Sequence, residues 1–433
     1  MHRCPHPSSL EWRGVRSREA LLAALCLLLT GPLLRAEDAP AEPSTDWPTV
    51  ITRLRQQLDA MPGQTDTRRE LGIAYNNFGV SLVNQGRFEE AQQQLQRALD
   101  YDPGNPQFRA NLVVAHLEMA KTAYQTHQPE QARGAIQHAL DVDPNAANAY
   151  ALLGELEYES QRLKEASAAW HKALELDPGL SEVRTRLEQL TRELPVESKF
   201  GRLAQFNFDV RYTKALDMPV GFDIRDMLLD ARRQVGGDFA LWPKSRIVVL
   251  VYQAEEFRKL RQETPDWVAG QYDGKIRVPL PGQTMDRDAV ARVLFHEYTH
   301  AIVHELTQDR CPTWLNEGLA DYEAWKGKTR PWTLLQAAVQ HETLIPWAEL
   351  SDHFSTGLSA QEVAFAYEES HSIVSYLAAR FGFWKMRQLL KAIDAGTPLD
   401  EALTSTYRNP VTRLEKQWRA WLDEQLASTH PTP

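Results

Sequence analysis

Cysteine is scarce in this chain. Its 433 residues hold three, Cys4, Cys26 and Cys311, and the first two fall in an N-terminal leader. Once that leader is set aside only Cys311 remains, so no intramolecular disulfide can brace the rest. Stability must come from a buried core, and the length is sufficient for one. Positive charge is also in deficit: the formal net charge is −10. That is no electrostatic footprint for nucleic acid, and no nucleic-acid partner is expected. Long apolar runs are missing beyond the leader, which argues against a polytopic membrane protein. A hydrophobic share of 43% argues against disorder throughout.

The leader differs in sign from the rest of the chain. Residues 1–36 hold five arginines against two glutamates, a charge of +3, and the remainder carries −13. Ala20 to Leu34 (ALLAALCLLLTGPLL) is apolar behind this basic stretch. It is shorter than the ~20 residues of a membrane span and matches the h-region of a secretory signal. Residues 1–36 are therefore expected to be a signal peptide, with Ala36 or Ala41 at its end. An uncleaved anchor over residues 20–34 is the alternative, and the only route to a membrane. Cys26 sits inside the apolar run behind Leu25 and is a poor lipidation candidate. Residues 37–47, rich in Pro, Ala and acid, are expected to be a linker.

A repeat comes next. RALDYDPG, HALDVDPN and KALELDPG each end a similar phrase, at Pro103, Pro144 and Pro178. The last two prolines are 34 residues apart, the first two 41. A period of 34 with this ending resembles the tetratricopeptide repeat, a helix–turn–helix unit. Units are expected at about 72–105, 113–146 and 147–180 within an array over 48–195. Residues 48–62 resemble half a decayed repeat, 180–193 form a polar capping helix, and Pro195 closes the array. Large and small residues recur in register, as at Gly79, Ala91, Leu95 and Ala98, and again at Gly154, Ala166, Trp170 and Ala173. The middle unit keeps Ala120, Ala132, Ile136 and Ala139, and its seven additional residues are expected to lengthen a helix. Such units stack because none buries its apolar face alone. Their surface suits a protein partner that the sequence does not name, or else they serve as a rigid spacer.

Beyond residue 200 the pattern changes, and nine of twelve tryptophans lie past residue 240. Strand patterns at 206–212 and 246–252 alternate with helical ones at 223–235 and 255–261. Gln271 to Leu280 is expected to be a hairpin turning at Asp273-Gly274, with Pro279 marking its second strand as a sheet edge. That edge is a candidate for pairing with an extended substrate. Helical periodicity dominates from Asp286. Strands followed by helices indicate an α+β domain over 200–425, with residues 426–433 as a tail.

The chemistry concentrates in this domain. DRDAVARVLFHEYTHAIVHEL has helical spacing, and His296 and His300 within it are four apart, on one face, so both imidazoles can reach one ion. Glu297 sits beside them and can hold and deprotonate a water bound to that ion. A zinc site of this kind takes three protein ligands and leaves a fourth position open. Sixteen residues after His300 comes TWLNEGLADY, where Glu317 is expected to be the third ligand on a returning helix. Asp321, four residues on, is expected to accept a hydrogen bond from the outer nitrogen of His296, and Asn316 adjoins the site. His304 is too far along the helix to share the ion. Val303 and Leu306 exclude the metzincin pattern. Cys311 in the connecting loop is expected to be a lone buried thiol. Tyr367 and His371, four apart on a later helix, are candidates for an oxyanion donor or, equally, for packing.

HEYTH with WLNEGLADY resembles the gluzincin metallopeptidases, which include thermolysin-like and aminopeptidase-N-like enzymes. Residues 200–425, with QYDGKIRV and AYEESHSIVSYLAARFG, more closely resemble the bacterial peptidase-MA-like family, often joined to tetratricopeptide repeats. The resemblance implies a thermolysin-like zincin fold, Zn2+ on His296, His300 and Glu317, and Glu297 as general base. It implies a peptide or protein substrate and, with the leader, a place in the bacterial periplasm or outside the cell. The spacing departs from aminopeptidase N and no exopeptidase signature is present, so an endopeptidase is expected. The alternative is a repeat scaffold carrying an inactive peptidase-like domain.

Overall fold

A computed structural model describes residues 45–126, 128–214, 218–260, 270–280, 286–354 and 358–429. The expected leader lies outside them. Among the described residues no helix is long and apolar enough to cross a membrane. The chain divides into two compact units, with the boundary between Ser198 and Lys199.

The first unit is all helix: α1 (Trp47–Ala60), α2 (Thr65–Asn84), α3 (Phe88–Tyr101), α4 (Pro106–Gln125), α5 (Pro129–Val142), α6 (Ala147–Glu159), α7 (Leu163–Leu176) and α8 (Ser181–Glu197). Asp46 caps α1, and Asn105 caps α4 by accepting from the backbone N–H of Gln107 and Phe108, with Pro106 in the first turn. The pairs α2/α3, α4/α5 and α6/α7 follow the three expected units in order, but α2 begins at Thr65 and α4 at Pro106, each seven residues before the expected start, and α1 lies in the region of the half-repeat. The second helix of each pair buries the same three positions, Ala91/Leu95/Ala98, Ala132/Ile136/Ala139 and Ala166/Trp170/Ala173. Sixteen residues before each central side chain stands a small one: Gly79, Ala120 and Gly154. A Cβ at Gly79 would lie 2.5 Å from Leu95, and one at Gly154 2.3 Å from Trp170, so both glycines exist to let two helix backbones approach. The longer middle period is housed in α4, which like α2 has 20 residues, seven more than the 13 of α6. Pro195 does not end the array. It lies inside α8, two residues from its end, where it removes only one intrahelical bond.

The second unit is α+β. A five-stranded sheet of order β1-β2-β3-β5-β4 contains β1 (Gly201–Gln205), β2 (Phe208–Tyr212), β3 (Ile247–Gln253), β4 (Gln271–Tyr272) and β5 (Ile276–Leu280). The central strands β2, β3 and β5 run parallel, and β1 and β4 pair antiparallel at the two sides. Between them lie α9 (Met218–Phe239) and α10 (Ala254–Leu260). After the sheet come α11 (Arg287–Thr307), α12 (Thr313–Trp325), α13 (Thr333–His341), a 3-10 turn (Leu350–Phe354), α14 (Ala360–Phe381), α15 (Phe383–Asp394), α16 (Leu399–Tyr407) and α17 (Val411–Thr429).

One sheet face supplies Phe208, Val210, Val249, Val251, Ile276 and Val278 to a core shared with α9 and α11. The unbroken run Ile247–Tyr252 is buried, as parallel strands require. The strand with Pro279 is not a sheet edge: β5 lies between β3 and β4. Proline is tolerated because β4 pairs only with Ile276 and Arg277 and stops short of Pro279. The short edge is β4, and Gly274 supplies the left-handed φ of +92° in the turn between them.

The close approach in the repeats is testable. Gly154→Ala should lower stability by about 1–3 kcal/mol through overpacking, read as a reduced urea midpoint. Gly134→Ala, inside α5 with nothing within 4 Å of the added methyl, should instead raise it by about 0.5–1 kcal/mol.

Candidate active site

Two helices and the turn between them assemble the site. Asp286 starts α11 by accepting from the N–H groups of Asp288 and Ala289. Val290, Leu294, Tyr298 and Ile302 bury one side of α11, and the ring of Tyr298 lies 5.7 Å from that of Phe208 on the sheet. This orientation sends His296 and His300 to the other side, where their side chains keep 18% and 11% exposure. The helix ends at Gln308 and Asp309, both left-handed at φ 47° and 60°. Two such residues in succession reverse the chain within five residues, and α12 returns along α11.

The reversal brings Glu317 to the paired rings. Its Oε2 lies 3.3 Å from His296 Nε2 and 3.5 Å from His300 Nε2, and the two Nε2 atoms are 3.0 Å apart. The rings stand nearly perpendicular, 86° between planes. One donor atom from each of the three side chains falls within 4.8 Å of the others. Oε2 is buried and makes no hydrogen bond. Two imidazoles and a carboxylate whose buried Oε2 is unsatisfied, at this separation, fit a divalent cation such as zinc.

The electrostatics follow from burial and proximity. Burial disfavours the His300 imidazolium, but the charge of the facing Glu317 outweighs it and raises the ring to about 9. For Glu317 burial likewise opposes ionisation, and the facing His300 and His296 reverse the balance, holding its carboxyl below the usual carboxylate range. Glu297 is 5% exposed, and burial pushes its carboxyl upward against the pull of the two histidines.

Around these side chains the structure departs from expectation at Asp321. Its carboxylate is taken by Arg330, from the loop after α12, with Nε at 2.7 Å and Nη2 at 2.6 Å. A guanidinium on the same side of α12 outcompetes an imidazole for a carboxylate. The polar side chain that meets one of the paired imidazoles is Asn316, whose Oδ1 lies 3.0 Å from His300 Nδ1. Pairing with an amide oxygen leaves Nε2 facing Glu317.

Tyr367 and His371 part company. The Tyr367 ring lies 6.1 Å from that of His296, and burial, then the Glu317 charge, push its pKa up, so it remains a phenol. His371, one turn further along α14, is 6% exposed and accepts from the Trp332 indole at 3.3 Å. Burial and then Arg330 depress it to about 3, so it is a neutral packing group. His304 pairs with Asp309 at 2.8 Å, away from the three donors. Cys311 is a free thiol outside the donor set, raised by burial and by Glu317.

Gly318, in the middle of NEGLA, was not among the expected site residues. A Cβ there would lie 2.7 Å from the carbonyl oxygen of Ser370 and 2.9 Å from Val374. Its absence lets α14 come against α12, which is what carries Tyr367 to Glu317. A glycine inside a helical pattern was the available signal.

Comparison with protein families finds matches within both units. Residues 265–424 match the Peptidase MA superfamily, and residues 82–123 and 117–181 match two tetratricopeptide repeat families. The C-terminal unit carries a Peptidase MA domain. The arrangement is a repeat module followed by a protease-like domain. No curated protein matches the chain.

His371 gives this region a pH dependence of definite sign. Its folded pKa is about 3 and its unfolded pKa about 6.5, so the unfolded chain binds the extra proton between these values. The stability it confers is complete above about pH 6.5 and is lost as pH falls toward 3. His371→Gln, which still accepts from Trp332, should flatten the decline of the urea midpoint over that interval. An unchanged slope would remove His371 from the account.

Proposed function

We propose that this protein is an exported zinc-dependent metallopeptidase, an endopeptidase, with Glu297 as general base and the repeats as a protein-binding module. The observation that carries the reading is the meeting of His296, His300 and Glu317 from two helices with the buried carboxylate of Glu297 beside them.

Bound by these three side chains, zinc supplies Lewis acidity, polarising a peptide carbonyl and making water nucleophilic near neutral pH. The protein's own groups do the rest. Glu297 accepts the proton of the attacking water and returns it to the departing amide nitrogen. Asn316 fixes the tautomer and direction of the His300 ring. Tyr367, a protonated phenol beside Glu317, donates toward the oxygen on which negative charge develops. The leader supports export to the bacterial periplasm or beyond, and loss of residues 1–36 in the intact mass of the exported protein tests that part.

Purified protein should hold about one zinc per chain and cut internal bonds, N-terminally blocked peptides included. Glu297→Gln should keep the metal and lose about 10²–10⁴ in kcat. Full activity in that variant overturns the mechanism. A metal-loaded wild type that cuts nothing across a broad peptide library, while a protein binds its repeats, favours the scaffold reading instead.

The roles of Asn316 and Asp321 are separable by chelator competition. Asn316→Ala should weaken zinc binding by about 10–100-fold. Asp321→Asn, which loosens Arg330, should lower the urea midpoint and leave zinc affinity within about twofold.

A further inference from the structure

The segment entering β4 closes over Glu297. A Cβ built at Gly270 would lie 2.5 Å from Glu297 Oε1, 2.9 Å from its Cγ and 2.8 Å from Val293 Cγ1. These distances are too short for any side chain to share that space unless something shifts. What the position demands is the missing methyl group.

Retreat is difficult on both sides. Gly270 leads directly into Gln271 and Tyr272, which pair with Arg277 and Ile276, and the Tyr272 ring lies 5.9 Å from that of His304 on α11. Val293 stands one turn before Glu297 on the same helix. Among the described residues no hydrogen bond or ion pair holds the Glu297 carboxylate, although it is 5% exposed. Val293 and the main chain of residue 270 wall the carboxylate in.

We propose that Gly270 is a positioning residue for Glu297, its bare backbone being the wall that holds the carboxylate beside the His296 and His300 rings. The proposal rests on the reading of Glu297 as general base. A methyl at 270 must push the carboxylate off its place, and displacement of a reacting group by about 1 Å costs up to about 10²-fold in rate.

Two readouts test it in the full chain. Gly270→Ala should retain one zinc per chain and a KM within about twofold, with kcat reduced by about 10–100-fold. Independently of catalysis, Gly270→Ala should lower the urea midpoint when residue 297 is Glu, and much less in a Glu297→Ala background, where Oε1 and Cγ are gone. The second cycle reads the contact even if the chain hydrolyses nothing, so failure of the peptidase reading and failure of this one are distinguishable. Unchanged kcat, loss of zinc in Gly270→Ala, or equal midpoint losses in both backgrounds would overturn the proposal. If Gly270→Ala alone does not fold, recovery of folding on adding Glu297→Ala supports it.

Discussion

The site depends on one constraint: a buried carboxylate on one helix must face two imidazoles on another. Burial alone would neutralise Glu317, and burial alone would neutralise His300. Each opposes the effect of burial on the other, and such a pair exists only if two backbones are locked at short range. The lock has three parts. The left-handed pair Gln308–Asp309 reverses the chain, Tyr298 anchors α11 to the sheet, and Gly318 admits α14 against α12. The large core of the second unit is the frame that keeps these parts from relaxing.

Polar residues behind the site divide the work. Asn316 meets the His300 ring, whereas Asp321, five residues along the same helix, holds Arg330 and through it braces the loop before α13. Glu368 of α14 extends that brace, accepting from the backbone N–H of Leu334 and Leu335 at 2.9 and 2.8 Å. Tyr367 and His371 divide in the same way, the first beside the donor set and the second in an aromatic packing cluster with Tyr322 and Trp332. Residues close together on one helix thus belong to different tasks.

Much of this was legible in the sequence because it is local. The 34-residue period, the apolar stripe of α11 and the four-residue spacing of the two histidines are properties of one helix or one repeat. The α+β character of the second unit followed from strand and helix periodicities, although β1 carried too little pattern to be expected. What was not legible is relational. That β5 is interior depends on β4 being only two residues long, a fact about its neighbour and not about Pro279. That Asp321 serves Arg330 depends on a loop nine residues away in sequence turning back on α12. Gly270 and Gly318 lacked a visible reason because the reason is an atom on another element. Backbone strain in Gln308 and Asp309 likewise shows only once the turn is seen.

The seven-residue lengthening of α4 has a consequence for how the repeat array tolerates change. Seven residues are close to two full helical turns, short of them by only ~20°. Lengthening by that amount advances the helix while returning its side chains to almost the same phase, so the faces presented to α3 and α5 are conserved. An insertion of two or five residues would rotate one face toward solvent and break contact with both neighbours. The first helices α2 and α4, at 20 residues, and α6, at 13, thus differ by a length that keeps their packing faces nearly in phase.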